Sequence, residues 1–119
     1  MKSYTDLEQS KKLTEILPLE SADMLYYCNK SNSIPISQCP FVRSFKETDT
    51  FSYLHCWSLA ALLNSVKYNT INLHYNDARN DWIVSCTIEH STRYESERAL
   101  NPIDAVFEMI IKLHEQKLL

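Results

Sequence analysis

The chain has 119 residues, a formal net charge of −3, 45% hydrophobic and 23% charged residues, and no glycine. That balance suits one globular domain over residues 1–119 with its own core, and the scattered Lys and Arg lack the clustering that a nucleic-acid partner needs, so none is expected. The missing glycine excludes a Walker A loop, a G-x-G-x-x-G dinucleotide turn and a G-x-S-x-G nucleophile elbow, since each uses backbone positions that a Cβ would obstruct.

The opening segment MKSYTDLEQSKKLTEIL is polar, without the apolar stretch of a signal peptide. No apolar run approaches the roughly 20 residues that span a bilayer. A cytoplasmic protein with no membrane partner is expected. Residues 5–17 read as a helix: Thr5 and Glu8 make a T-x-x-E capping box, Leu7, Leu13, Ile16 and Leu17 share a side, and Pro18 stops it. Ser21 is placed to cap a short turn through Met24. Leu25 to Cys28 suits either a strand or an extension of that turn.

Residues 29–50 form the irregular segment, rich in Pro, Ser and Asn, with FVRSF at 41–45 a candidate short strand. A helix follows over Trp57 to Val66, capped by Ser58 and striped by Leu59, Leu62, Leu63 and Val66. The clearest β signal comes next. Strands 70–75 and 82–88 alternate apolar and polar residues around a turn of Asn and Asp. Symmetric closure sets Tyr75 against Trp82, Leu73 against Val84 and Ile71 against Cys86 on one face. Thr70 then opposes Thr87, and Asn72 opposes Ser85, on the other. Residues 91–99 are polar, a loop or an edge strand. Asn101 caps a last helix over 102–116, with Pro102 in its first turn. Ile103, Val106, Phe107, Ile110 and Leu113 form its buried stripe, and Asp104, Glu108, Lys112 and Glu115 stay wet. The expected fold class is α+β: a small antiparallel sheet, made of the hairpin plus one or two further strands, packed on one face by helices that include 102–116.

The polar chemistry is sparse. Cys28, Cys39, Cys56 and Cys86 contain no C-x-x-C pair and read as free thiols of a reducing compartment. His55 and Cys56 are adjacent and would point to opposite sides of a strand, so no metal site is expected. Cys56, just before a helix start, is a candidate for a lowered thiol pKa in a Cys-His pair, but no third orienting group is visible. Glu89, Glu95 and Glu97 read as a solvated edge rather than as an acid–base pair. No catalytic residue, cofactor or metal ligand is assigned, and the chain reads as a non-enzyme. The aromatic residues crowd around the irregular segment. Tyr26, Tyr27, Phe41, Arg43, Phe45, Phe51 and Tyr53 form the candidate binding surface, because aromatic side chains dominate binding hot spots.

Three blocks, ESADMLYY at 20–27, CWSLAALLNSV at 56–66 and NPIDAVFEMIIKLHEQ at 101–116, resemble a family of small uncharacterised proteins encoded by phages, prophages and mobile elements of gut Bacteroidales-type bacteria. The shared pattern is an Ala-Asp-Met segment, a helix opened by Trp-Ser-Leu, a hairpin, and a helix opened by Pro, a hydrophobic residue, Asp and Ala. The blocks cover about a third of the chain. The resemblance implies an α+β fold and a phage or mobile-element gene context, either accessory or virion-structural, and it carries no activity and no catalytic residues onto this sequence.

The first functional expectation is therefore a non-enzymatic accessory factor that binds a host protein. The alternative is a small-molecule binder, a sponge for a nucleotide-derived defence signal. Arg43, Lys46, Arg93 and Arg98 would supply its cationic cradle, and the helix starts at Ser58 and Pro102 its anion sites. An enzyme is the third reading. Oligomeric state is not readable from these residues.

Overall fold

The computed structural model describes residues 2–29, 39–42, 51–66, 70–88, 92–95 and 99–117. The element order is α1 (Leu7–Thr14), a 3-10 turn (Leu19–Ser21), β1 (Met24–Asn29), β2 (Phe41–Val42), β3 (Phe51–Cys56), α2 (Leu59–Ser65), β4 (Thr70–Asn76), β5 (Asp81–Ile88), β6 (Thr92–Glu95) and α3 (Pro102–Glu115). The class is α+β. The described strands make two antiparallel three-stranded sheets, ordered β2-β1-β3 and β4-β5-β6. The hairpin sheet is the expected one, with β6 as its further strand. The other sheet arises because the aromatic-rich stretch 51–56 is itself a strand.

The hairpin register is the one its alternation demands: Ile71 opposes Cys86, Leu73 opposes Val84, and Tyr75 opposes Trp82. Its turn needs one left-handed residue, and Asn80 fills it at φ 52°. Asparagine tolerates that region best after glycine, which this chain does not have. Asn76 starts the turn, its side chain accepting from the Ala78 N–H at 3.0 Å. The stretch 91–99, open between loop and edge strand, supplies β6, which pairs with β5 from Ser85 to Ile88. Ala99 then exchanges two backbone hydrogen bonds with Trp82 and delivers the chain to α3.

α3 is capped as its sequence dictates. Asn101 accepts from the Asp104 N–H at 2.9 Å, with Pro102 in the first turn. Ile103, Val106, Ile110 and Leu113 are fully buried, together with Ala105 and Met109. They join Val84 and Cys86 of β5, Leu62 of α2, Trp57 and Leu13 in one core cluster, against which Ile71, Leu73 and Trp82 pack from the side. α3 therefore covers the apolar face of the hairpin, although Tyr75 at its far end stays 39% exposed. Ser58 caps α2, accepting from the Ala61 N–H at 3.2 Å.

The first helix departs from the sequence reading. It starts at Leu7, and its capping box is Asp6 with Gln9, not Thr5 with Glu8. Thr5 is instead fully buried. The backbone N–H of Thr5 donates to the Trp57 carbonyl at 2.9 Å, while the Thr5 hydroxyl accepts from the Trp57 N–H at 3.1 Å. A side chain held in that double clasp cannot also cap a helix. Ser21 likewise caps nothing. It ends the 3-10 turn, its hydroxyl donating to the Pro18 carbonyl and accepting from the Trp57 indole N–H at 2.9 Å. The irregular segment is also shorter at its start than expected, since Asn29 closes β1. Of the candidate strand 41–45, Phe41 and Val42 are extended, and 43–45 lie outside the described residues.

Candidate binding surface on the first sheet

Side chains alternate across a strand, so Tyr26 and Tyr27 point to opposite sides of the first sheet. One side faces α1. There Tyr26 is only 3% exposed, and its hydroxyl donates to the Thr5 carbonyl at 2.9 Å. Burial and then the neighbouring Cys56 push its phenol pKa well above the ordinary value. Tyr26 is thus a structural tyrosine, not a docking residue.

The other side carries an aromatic row. Tyr27 on β1 opposes Tyr53 on β3, with ring centroids 5.4 Å apart. Phe41 on β2 opposes Leu25 and leans onto Tyr27 at 5.2 Å. Three rings from three strands therefore form one line across the sheet. Its outer end is open to solvent, where Phe41 is 51% exposed. Contacts of this kind contribute about 0.5–1.5 kcal/mol each beyond area burial, which holds the row rigid. Of the candidate surface, the fold brings together Tyr27, Phe41 and Tyr53 and sets Tyr26 apart. Phe51 is placed by its backbone opposite Asn29, and Arg43 and Phe45 lie outside the described residues.

Cys56 does not fit a thiolate. It is fully buried, its thiol donating to the Thr5 carbonyl at 3.4 Å beside the Thr5 and Ser10 hydroxyls. Burial raises its pKa above 9.0, and the hydrogen bonds from its neighbours only temper that. The expected lowering fails because Cys56 lies inside the sheet, two residues before the α2 cap. Among the described residues no three His, Cys, Asp or Glu side chains group as metal ligands do. No described helix is long and apolar enough to cross a membrane. Glu89 and Glu97 lie outside the described residues.

The two helix starts offered as anion sites already hold carboxylates of this chain. Asp23 accepts from the Ser58 N–H at 2.9 Å and from its hydroxyl. In the first turn of α3, Asp104 accepts from Lys2 Nζ at 2.8 Å, Gln9 Nε2 at 2.7 Å and Asn101 Nδ2 at 2.8 Å. Burial by itself would raise the Asp104 carboxyl. The hydrogen bonds from Lys2, Gln9 and Asn101, with the Lys2 charge, outweigh it and hold the pKa below 3.8. Lys2 also pairs with Asp6 at 2.9 Å, and Glu108 joins the rim of the same open cleft of about 420 Å³. With three carboxylates and one ammonium, this cleft repels phosphate. Sequence reasoning missed the cluster because Lys2 and Gln9 lie 102 and 95 positions from Asp104.

No family model, curated protein or solved structure matches the chain.

Proposed function

We propose that this protein is a non-enzymatic binding factor, a phage or mobile-element accessory protein that docks a host protein on the aromatic row of its first sheet. The observation that carries this reading is the line of Phe41, Tyr27 and Tyr53 across three strands, ending in solvent at Phe41. Rigid aromatic side chains lose little entropy on contact and bury large areas, which is why they anchor protein interfaces. The resemblance of the 20–27, 56–66 and 101–116 blocks supports the gene context. The nucleotide-sponge alternative gains no such support, since the two helix starts offered as its anion sites, at Ser58 and Pro102, face carboxylates of the chain itself.

The test is a comparative capture from host lysate with wild-type protein and the Phe41→Ser and Tyr53→Ala variants as bait. A protein retained by the wild type should be lost, at least about tenfold, by both variants. It should then bind again when purified. Recovery of the same proteins by all three baits, each with unchanged thermal stability, sinks the proposed surface.

A further inference from the structure

The hairpin sheet has two edges, and they are built differently. β6 is four residues long and its sequence carries Arg93 and Glu95; shortness and charge are the usual guards of an edge strand. β4 has neither. It runs seven residues, Thr70–Asn76, in unbroken register with β5. Its sequence, TINLHYN, contains no Pro, Asp, Glu, Lys or Arg. No described strand pairs with its outer edge. The long edge strand of the first sheet, β3, is by contrast met just beyond Cys56 by the N-terminal segment, where Thr5 bonds to Trp57 and Tyr4 bridges Ser58.

The apolar face of the hairpin also opens toward the β4 edge. Val84 and Cys86 on β5 are fully buried, whereas their cross-strand partners Leu73 and Ile71 are only partly so, and Tyr75 is 39% exposed. On the other face Asn72 and His74 are exposed. An unguarded edge of this kind takes up another strand, and the sequence of β4 decides which. Laid antiparallel against itself about Leu73, it matches at each position. Ile71 meets Tyr75, Leu73 meets Leu73, and Asn72 meets His74, so apolar side chains share one face and uncharged polar ones the other. Centring on Leu73 engages the whole strand, while a slip by one residue would set Leu73 against Asn72 and mix the faces. We propose that β4 pairs with β4 of a second copy of this chain, joining two three-stranded sheets into one continuous antiparallel sheet about a two-fold axis at Leu73. The exposed Tyr75 ring of each copy then lies beside Ile71 of the other. This interface belongs to the second sheet, so it stands independently of the aromatic row on the first.

The experiment is sedimentation of the full chain over a range of about 10 µM to 1 mM. A strip roughly 24 Å long buries less than the ~1,600 Å² of a standard interface, so a reversible dimer with Kd on the order of 0.1 mM is expected. Two variants at exposed positions test the surface. Asn72→Lys with His74→Lys sets ammonium groups face to face across the axis, and Asn72→Asp with His74→Asp sets carboxylates there. Each alone should self-associate at least about tenfold more weakly than wild type. An equimolar mixture of the two should recover a one-to-one dimer at least as tight as that of the wild type. The wild type gives a further reading that needs no variant: amide exchange in β4 should slow as concentration rises, while that in β6 stays the same. A wild type that remains monomeric at the highest concentration overturns the proposal. So does a dimer that neither charge variant weakens, a mixture that stays monomeric, or a dimer whose formation leaves β4 exchange unchanged.

Discussion

Lys2 Nζ donates to Asp104 Oδ1 at 2.8 Å, joining the N-terminal segment to the first turn of the last helix across 102 positions of sequence. The carboxylate is therefore more than a complement to a helix dipole. Dipole compensation alone contributes about 0.3–1 kcal/mol, whereas Asp104 also gathers Gln9 and Asn101. Its side chain remains 36% exposed, so solvent screening discounts the ion pair. Asp104→Asn should cost about 1–2 kcal/mol in urea denaturation at pH 7.

The same contact fixes a pH dependence. The folded Asp104 pKa lies below 3.8, so its contribution is complete above that value and is lost as pH falls through the folded pKa. Burial by itself would lower the Lys2 pKa, but the hydrogen bonds and charges of Asp104 and Asp6 hold it above 10.5. Its share is complete below 10.5 and is lost as pH rises through the folded pKa. Stability curves of wild type and Asp104→Asn should be parallel between these limits and converge in acid. A gap that persists in strong acid would show that the ionised carboxylate is not its source.

Thr5→Val keeps the shape of the residue and deletes its hydroxyl. The Trp57 N–H then loses its acceptor at 3.1 Å, and the Ser10 hydroxyl loses its partner at 2.8 Å. Both groups are buried, so the expected cost is about 1–3 kcal/mol. Thr5→Ser retains the hydroxyl and should cost less than Thr5→Val. The reverse order in chemical denaturation would mean that the methyl group matters there, not the hydrogen bonds.

Phe107→Ala removes a ring that is 9% exposed from the interface of α3 with the rest of the core. A loss of about 3–5 kcal/mol is expected, a large part of the 5–15 kcal/mol or so that holds an ordinary domain. A near-neutral result would mean that α3 packs less closely on the hairpin than described.

Thiol labelling gives a fifth check. Cys39 is exposed, while Cys28, Cys56 and Cys86 are buried, and burial raises the pKa of each of these three. One thiol should react quickly with a water-soluble disulfide reagent, and Cys39→Ser should abolish that phase. The other three should react at the rate of unfolding, or in denaturant. Fast labelling of Cys56 in the native protein would contradict its place beneath Thr5.

The hairpin and α3 were legible because local pattern and tertiary need coincide there. A one-residue slip would have put Leu73 and Val84 in water, and Asn101-Pro102 can begin a helix but hardly continue one. The start of α1 was ambiguous, since Thr5–Glu8 and Asp6–Gln9 both satisfy the capping-box spacing. The choice fell to Trp57, which claims the Thr5 hydroxyl from 52 positions away. The aromatic surface was half legible. Crowding of rings near 26–53 marked the segments from which Tyr27, Phe41 and Tyr53 come together, and strand parity alone would have separated Tyr26 from Tyr27 once β1 was assigned.

The turn that Asn80 closes at φ 52° bears on the unfolded protein as well as the folded one. A chain of this length would ordinarily contain about eight glycines. Each glycine replaced by a residue with a side chain, where the native dihedrals allow it, removes about 0.4–1 kcal/mol of backbone freedom from the denatured ensemble. Asn80 shows that even a left-handed corner was filled without recourse to glycine. The denatured chain is therefore stiffer than its length suggests, and part of the resistance of this fold to heat resides in the restricted freedom of the state it would melt into.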